Sequence, residues 1–238
     1  GSRLVAYAPS EVMDEQHRFQ PYPMPADLIL EMVESFAEAA HRASEAGCDG
    51  IEIIGSMGYL VAQFLNPRVN LRTDQYGGSP DGRLKFLRDI ITAIRQRTPS
   101  DFLAGVRISA DEMDHDGLRP DEVREICRAL DQDGQIDFLD ITAGSAASAA
   151  GWTHVVPPMF VKPGYLADSA RAIKDQVAMP VLVAGRINQP QLAEQMIEDG
   201  DADLCGMVRA TICDPEFANK AREGRAEDIR ACIGCNQA

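Results

Sequence analysis

Five short apolar segments punctuate the chain, at residues 49–54, 102–108, 138–141, 181–184 and 202–207. Most are near-continuous apolar runs without polar alternation, the pattern of parallel strands covered on both faces. Between them the apolar positions step by three and four, as in Ile29, Val33, Phe36, Ala40 and Ala43, in Leu84, Leu87, Ile91 and Ile94, and in Val123, Cys127 and Leu130. Those spacings predict one-sided helices. Pro25 precedes the first, Gly47 closes it, Pro120 with Asp121 opens the third, and Pro190 opens another. Strands alternating with helices predict an α/β protein with a parallel sheet, either open and doubly wound or closed as a (β/α)8 barrel; pattern alone admits both. The two longest stretches without either period, residues 55–80 and 143–163, follow the first and third strands. Both fall at C-terminal strand ends, where either fold places its site, and loops of that length are functional or disordered.

A chain of 238 residues is one large domain or two small ones, and with 45% apolar residues it can bury a core. Lys and Arg number 23 against 37 Asp and Glu, a net charge of −14 with no basic cluster to offset it, which argues against a nucleic-acid partner. No apolar run approaches the ~20 residues of a membrane span and no leader-like segment opens the chain, so the expectation is a cytoplasmic protein acting on a small molecule, without membrane contact. Six dispersed cysteines do not read as a secreted disulfide framework.

The first long stretch carries Tyr59, whose hydroxyl at a strand tip either handles a substrate proton or, in the plainer reading, belongs to a side chain packed with Leu60 and Phe64. Asn70, Arg72 and Asp74 alternate and read as a polar brace, since a buried Arg needs several acceptors. Three arginines stand at strand ends: Arg107, Arg186 after Gly185, and Arg209 after Gly206 and Val208. Glycines let backbone amides approach an anion that guanidinium forks then bind, and barrels place phosphates after their last two strands. The competing reading pairs each arginine with one of the abundant carboxylates. His154, in the second long stretch, is a proton donor near neutral pH or a solvated loop histidine; His17, His41 and His115 receive the solvated reading. Cys232 and Cys235 have iron–sulfur or zinc spacing but cannot complete either site alone. Walker, Rossmann, zinc-protease and nucleophile-elbow motifs are absent.

Ala46-Gly47-Cys48-Asp49-Gly50-Ile51-Glu52-Ile53, Gly58-Tyr59-Leu60, Gln63-Phe64-Leu65, the Asn-x-Arg-x-Asp-x-Tyr-Gly-Gly stretch at 70–78, Arg83, Val106-Arg107-Ile108-Ser109, Gly185-Arg186-Ile187, Ala202-Asp203, Arg209 and Asp214-Pro215 together resemble the old yellow enzyme family of FMN-dependent oxidoreductases. The closing Cys-Ile-Gly-Cys-Asn-Gln-Ala narrows the resemblance to its multidomain branch, similar to 2,4-dienoyl-CoA reductase, trimethylamine dehydrogenase and N-methylproline demethylase-like proteins. The resemblance implies a partial (β/α)8 TIM barrel comprising strands 4 to 8 with their helices, an internal fragment whose first three βα units are absent. Residues 1–230 would be the FMN-binding barrel and 231–238 the start of a truncated segment for a 4Fe–4S cluster held by Cys232 and Cys235; FAD or NAD(P)H would occupy further domains.

Carried over by position, Arg107 would lie near the flavin pyrimidine, Gly185 and Arg186 at its phosphate, with Gly206, Val208 and Arg209 completing that site. Tyr59 matches the family's active-site tyrosine, and His154 sits one residue away from a reductase histidine. Ile54 and Met57 replace the residues that grip a carbonyl oxygen in single-domain ene-reductases. These departures lean the expected reaction toward oxidative demethylation of an N-methyl amine, with dienoyl-CoA-type reduction as the alternative and a flavin-free remnant as a third. Glu52, Arg107, Thr142, Gly185 and Met207 should lie near the ends of five adjacent strands, whose two unpaired edges would favour self-association.

Overall fold

A computed structural model describes residues 5–237. A two-residue parallel pair, β1 (Tyr7–Ala8) and β2 (Tyr22–Pro23), precedes helix α1 (Ala26–Glu45). Then follow β3 (Gly50–Gly55), α2 (Leu60–Leu65), α3 (Pro80–Arg97), β4 (Leu103–Ser109), α4 (Pro120–Asp133), β5 (Phe138–Thr142), α5 (Ala149–Val155), α6 (Ala167–Lys174), β6 (Val181–Val183), α7 (Pro190–Glu198), β7 (Leu204–Cys205), α8 (Arg209–Cys213) and α9 (Phe217–Arg222). The helix signals act as read: Pro25 is the N-cap of α1, Gly47 follows its C-cap at φ 83°, and Pro120 starts α4.

Strands β3 to β7 are parallel and their spatial order is their chain order, with no reversal. A doubly wound sheet requires a reversal, so the five βα units form an arc of a (β/α) barrel. Ile53, Val106, Ile108, Leu139, Ile141, Val181 and Val183 point outward and are buried beneath the helices. The opposite, concave face is covered only in part: Ile54, Leu103 and Leu204 are 38, 46 and 52% exposed. This corrects the expectation of burial on both faces, because a closed barrel fills its interior with side chains from eight strands and five cannot.

Both long stretches contain structure that periodicity did not reveal. Helix α2 buries Val61, Ala62, Phe64 and Leu65, and the Phe64 ring lies 4.3 Å from that of Phe86 and 6.4 Å from that of Tyr76. The polar brace forms beneath it. Asn70 Nδ2 donates to the carbonyls of Phe64 and Tyr76, 2.7 Å each, while Arg72 pairs with Asp74 and donates to the carbonyls of Pro9 and Met24. Helix α5 closes the second stretch, capped by Ser148, and Gly144 at φ 89° is required because a Cβ there would lie 2.5 Å from the Gly151 oxygen. The last two strands are shorter than their apolar segments, since the chain turns away at Gly185 and Gly206.

Candidate active site

At the C-terminal strand ends a cleft of about 230 Å³ collects Met57, Arg107, Thr142, His154, Gly185, Arg186, Gly206, Val208 and Arg209. Eight of the residues singled out in the sequence as catalytic or cofactor-binding thus reduce to seven in one cleft, with Tyr59 elsewhere. The glycines are there for space. A Cβ on Gly185 would come within 2.8 Å of Leu166, and one on Gly206 within 3.1 Å of Ala184. Arg186 adopts φ 50°, uncommon for a non-glycine residue, donates from Nη1 to the Val161 carbonyl, and keeps its buried Nε without a partner among the described residues. Arg209 Nη1 donates to the Pro157 carbonyl at 2.8 Å and to Asn236 Oδ1 at 2.5 Å.

Carboxylate pairing divides the three arginines. Arg107 is held by Glu52 at 2.9 Å and Asp140 at 2.7 Å, the plainer of the two sequence readings. Arg186 and Arg209 form no ion pair among the described residues, although the chain is strongly acidic. Two guanidinium groups bonded only to neutral oxygens, one with an orphaned buried N–H, beside glycine backbone, suit the oxygens of a phosphate dianion. These residues therefore fit the phosphate end of FMN.

His154 lies in α5, half-buried, with Nδ1 unpartnered among the described residues and its ring 5.7 Å from that of Tyr165, which replaces the solvated-loop reading. Burial pushes the Tyr165 phenol up to about 12, against the lowering effect of Arg209. Tyr59 is 49% exposed and does not pack into the Phe64 cluster; it lines a second, larger cleft of about 920 Å³ with Tyr7, Phe19, Asp14, Asp114 and Asp116. The wall between the clefts is backbone. Met57, at φ 61°, pairs with Ser145 as a parallel bridge, its N–H donating to Ser109 Oγ and its carbonyl accepting from Ala146. Met57 faces one cleft, while Gly58 and Tyr59 face the other. The structure does not bring Tyr59 and His154 into one cleft.

The terminal segment folds back over the strand ends: Asn188 Nδ2 donates to the Cys232 carbonyl and Asn236 Nδ2 to that of Val156. Cys232 is half-buried and Cys235 exposed. Among the described residues no third His, Cys, Asp or Glu joins them in a metal-ligating group, so these two thiols alone do not fit a 4Fe–4S cluster. No described helix is long and apolar enough to cross a membrane. The sequence reading placed Glu52 near a strand end without giving it a role, and missed Asp140 and Glu112. Glu52 and Asp140 carried a usable signal, each being a carboxylate inside an otherwise apolar strand. Burial pushes the Glu112 carboxyl up to about 7, against bonds from the Leu118 N–H and Asn66 that favour its charge.

The class of the fold is a (β/α) barrel arc, with two arginines free of ion pairs among the described residues beside glycine backbone at the ends of its last strands. The sequence model of the NADH:flavin oxidoreductase / NADH oxidase family matches residues 4–228, and the chain belongs to that family. It is 40% identical over 235 residues to a metal reductase of Desulforamulus reducens, covering 98% of this chain and 34% of that protein. It is 36% identical over 236 residues to a probable N-methylproline demethylase of Rhizobium meliloti, covering 99% of this chain and 35% of that protein. Among solved structures, a 2-naphthoyl-CoA reductase with 2-naphthoyl-CoA superposes with a TM-score of 0.90 at 30% identity, covering 98% of this chain and 36% of that one. Histamine dehydrogenase from Rhizobium sp. 4-9 gives 0.88 at 30% identity, covering 98% and 34%. The chain spans about a third of the length of these relatives.

Proposed function

We propose that the protein binds FMN with its phosphate at Arg186, Arg209 and the backbone around Gly185 and Gly206, and that it oxidises an N-methylated amine. Bound there, FMN would accept a hydride equivalent from a substrate C–H bond. The observation that carries the amine reading is the pairing of Met57, an apolar side chain facing the anion cleft, with the neighbouring cleft in which Tyr7, Phe19 and Tyr59 stand beside Asp14, Asp114 and Asp116. Aromatic faces and carboxylates hold an organic cation, and a thioether grips no carbonyl oxygen. Loss of hydride from an N-methyl group leaves an iminium that water splits into the smaller amine and formaldehyde. Tyr59 would hold the cation in the neighbouring cleft with its N-methyl group reaching past Met57 toward the flavin, and no proton donor is required. The demethylase and histamine dehydrogenase relatives support this reading; the naphthoyl-CoA reductase supports the second, reduction of an unsaturated thioester. In that reaction a proton must reach carbon, and the separation of Tyr59 from His154 leaves no paired donor. Cys232 and Cys235 would contribute to a 4Fe–4S cluster, and FAD or NAD(P)H would be bound by other domains.

Anaerobic mixing decides between the readings. The FMN-loaded protein should bleach with N-methylated amines and release formaldehyde, and Tyr59→Phe should act on substrate affinity and flavin reduction. Reoxidation of the reduced protein by a dienoyl-CoA, without bleaching by any amine, would overturn the amine reading. In that case Tyr59→Phe should slow the oxidative half-reaction by ~10²–10⁴, the usual worth of a general acid.

A further inference from the structure

The concave face holds a group that the phosphate cleft does not use. In the register of β3, β4, β5, β6 and β7, Ile54, Arg107, Asp140, Leu182 and Leu204 form one row, and Glu52, Gly105 and Phe138 form the row below. Gly105 has no side chain and the Phe138 ring lies over it, so the floor beneath Arg107 is aromatic and apolar. Arg107 Nε and Nη2 both donate to Asp140 Oδ2, at 2.9 and 2.7 Å, and Nε lies 2.9 Å from Glu52 Oε1. Asp140 is 3% exposed, and its other oxygen, Oδ1, is buried with no partner among the described residues. A buried carboxylate oxygen left bare is costly, whereas a carboxylic acid beside it supplies the missing donor.

We propose that Glu52 and Asp140 share a single proton, bound on Glu52 and donated to Asp140 Oδ1, so that the pair holds Arg107 in a neutral triad and both act as positioning residues for the flavin ring. The flavin part rests on the reading that Arg107 faces that ring. One guanidinium cannot balance two carboxylates on an apolar floor, and like charges in one site push one carboxyl toward its neutral form. Burial first, then the Asp140 charge, moves the Glu52 carboxyl well above the usual carboxylate range, against the lowering effect of Arg107. No other charged side chain enters from the strands: β6 and β7 present Leu182 and Leu204 in this row. The remaining titratable groups, His154 from α5, Arg186 after β6, Arg209 from α8 and Cys232 from the terminal segment, lie at the strand ends above. The triad leaves Arg107 Nη1 without a hydrogen bond to any described residue, at the cleft where the flavin pyrimidine would lie.

The proton is read without flavin. Infrared difference spectra of the whole chain across neutral pH should show carboxylic-acid C=O intensity that Glu52→Gln and Glu112→Gln each remove in part and the double variant removes altogether; intensity unaffected by Glu52→Gln, or no such intensity, overturns the shared proton. Gln at 52 still donates to Asp140 Oδ1 and should keep FMN affinity within a few-fold, whereas Glu52→Leu should not. With FMN bound, Asp140→Asn combined with Glu52→Gln removes the one negative charge beside Arg107 and should favour reduced over oxidised flavin by about tenfold, a rise of about 30 mV for a two-electron couple. Glu52→Gln should match the parent chain at pH 6 and lie above it at pH 8, where the parent has lost the proton. Unmoved potentials in both variants overturn the positioning role. A chain that binds no FMN overturns the flavin reading instead, and the carboxyl band still decides the shared proton.

Discussion

Removing the Arg186 side chain separates a phosphate site from a structural arginine. In the structure Arg186 gives a hydrogen bond to the Val161 carbonyl and keeps a buried Nε bare, so the folded chain gains little from the guanidinium and a phosphate would gain much. A hydrogen bond to a charged group is worth about 1.5–3 kcal/mol, and 1.4 kcal/mol is tenfold, so Arg186→Ala should weaken FMN binding by roughly 10- to 150-fold. The neutral bond to Val161 is worth about 1 kcal/mol of stability. Because residue 186 sits at φ 50°, Arg186→Gly should recover about 1 kcal/mol of that cost while losing the same affinity. Flavin fluorescence quenching supplies the affinities, with riboflavin as the phosphate-free control, and denaturant unfolding supplies the stabilities. Equal losses for FMN and riboflavin, or unchanged FMN affinity, would refute the phosphate assignment.

Three further outcomes follow from the geometry. Glu112 has its folded pKa raised from 4.5 to about 7 by burial, so its contribution is fully present below pH 4.5 and is lost as pH rises through about 7. Stability should therefore fall across that window by up to ~3 kcal/mol, and Glu112→Gln should flatten the profile in urea melts at a series of pH values. Asn70→Ala leaves the Phe64 and Tyr76 carbonyls bare in the interior and should cost about 2–4 kcal/mol, visible as a lower denaturation midpoint at unchanged slope; a change under 0.5 kcal/mol would contradict the brace. Strands β3 and β7 each pair on one side only, so light scattering should show association that grows with protein concentration; a monodisperse monomer at all concentrations would count against edge pairing.

The sequence by itself determined the order and type of the main elements, because near-continuous apolar runs and the three-and-four spacing are local consequences of which faces must leave water. It also placed the breaks, since Pro25, Gly47 and Pro120 act within their own turns. The brace at Asn70, Arg72 and Asp74 was legible in part for the same reason: Asp74 and the Phe64 and Tyr76 carbonyls lie within a few residues, whereas the Pro9 and Met24 carbonyls that also hold Arg72 are brought in by the fold. Tertiary structure alone decided between an open sheet and a barrel arc, since strand order is a long-range property that one-strand patterns do not encode. It also divided three similar strand-end arginines, giving Arg107 two carboxylates from neighbouring strands and leaving Arg186 and Arg209 without any among the described residues. Whether Glu52 and Asp140 face the same guanidinium depends on the register between three strands whose paired residues lie 53 and 33 positions apart in the chain, roughly the lengths of the intervening helical crossovers. Tyr59 and His154, linked in the sequence only by resemblance, fall on opposite sides of the Met57–Ser145 bridge, a wall that no local pattern announces.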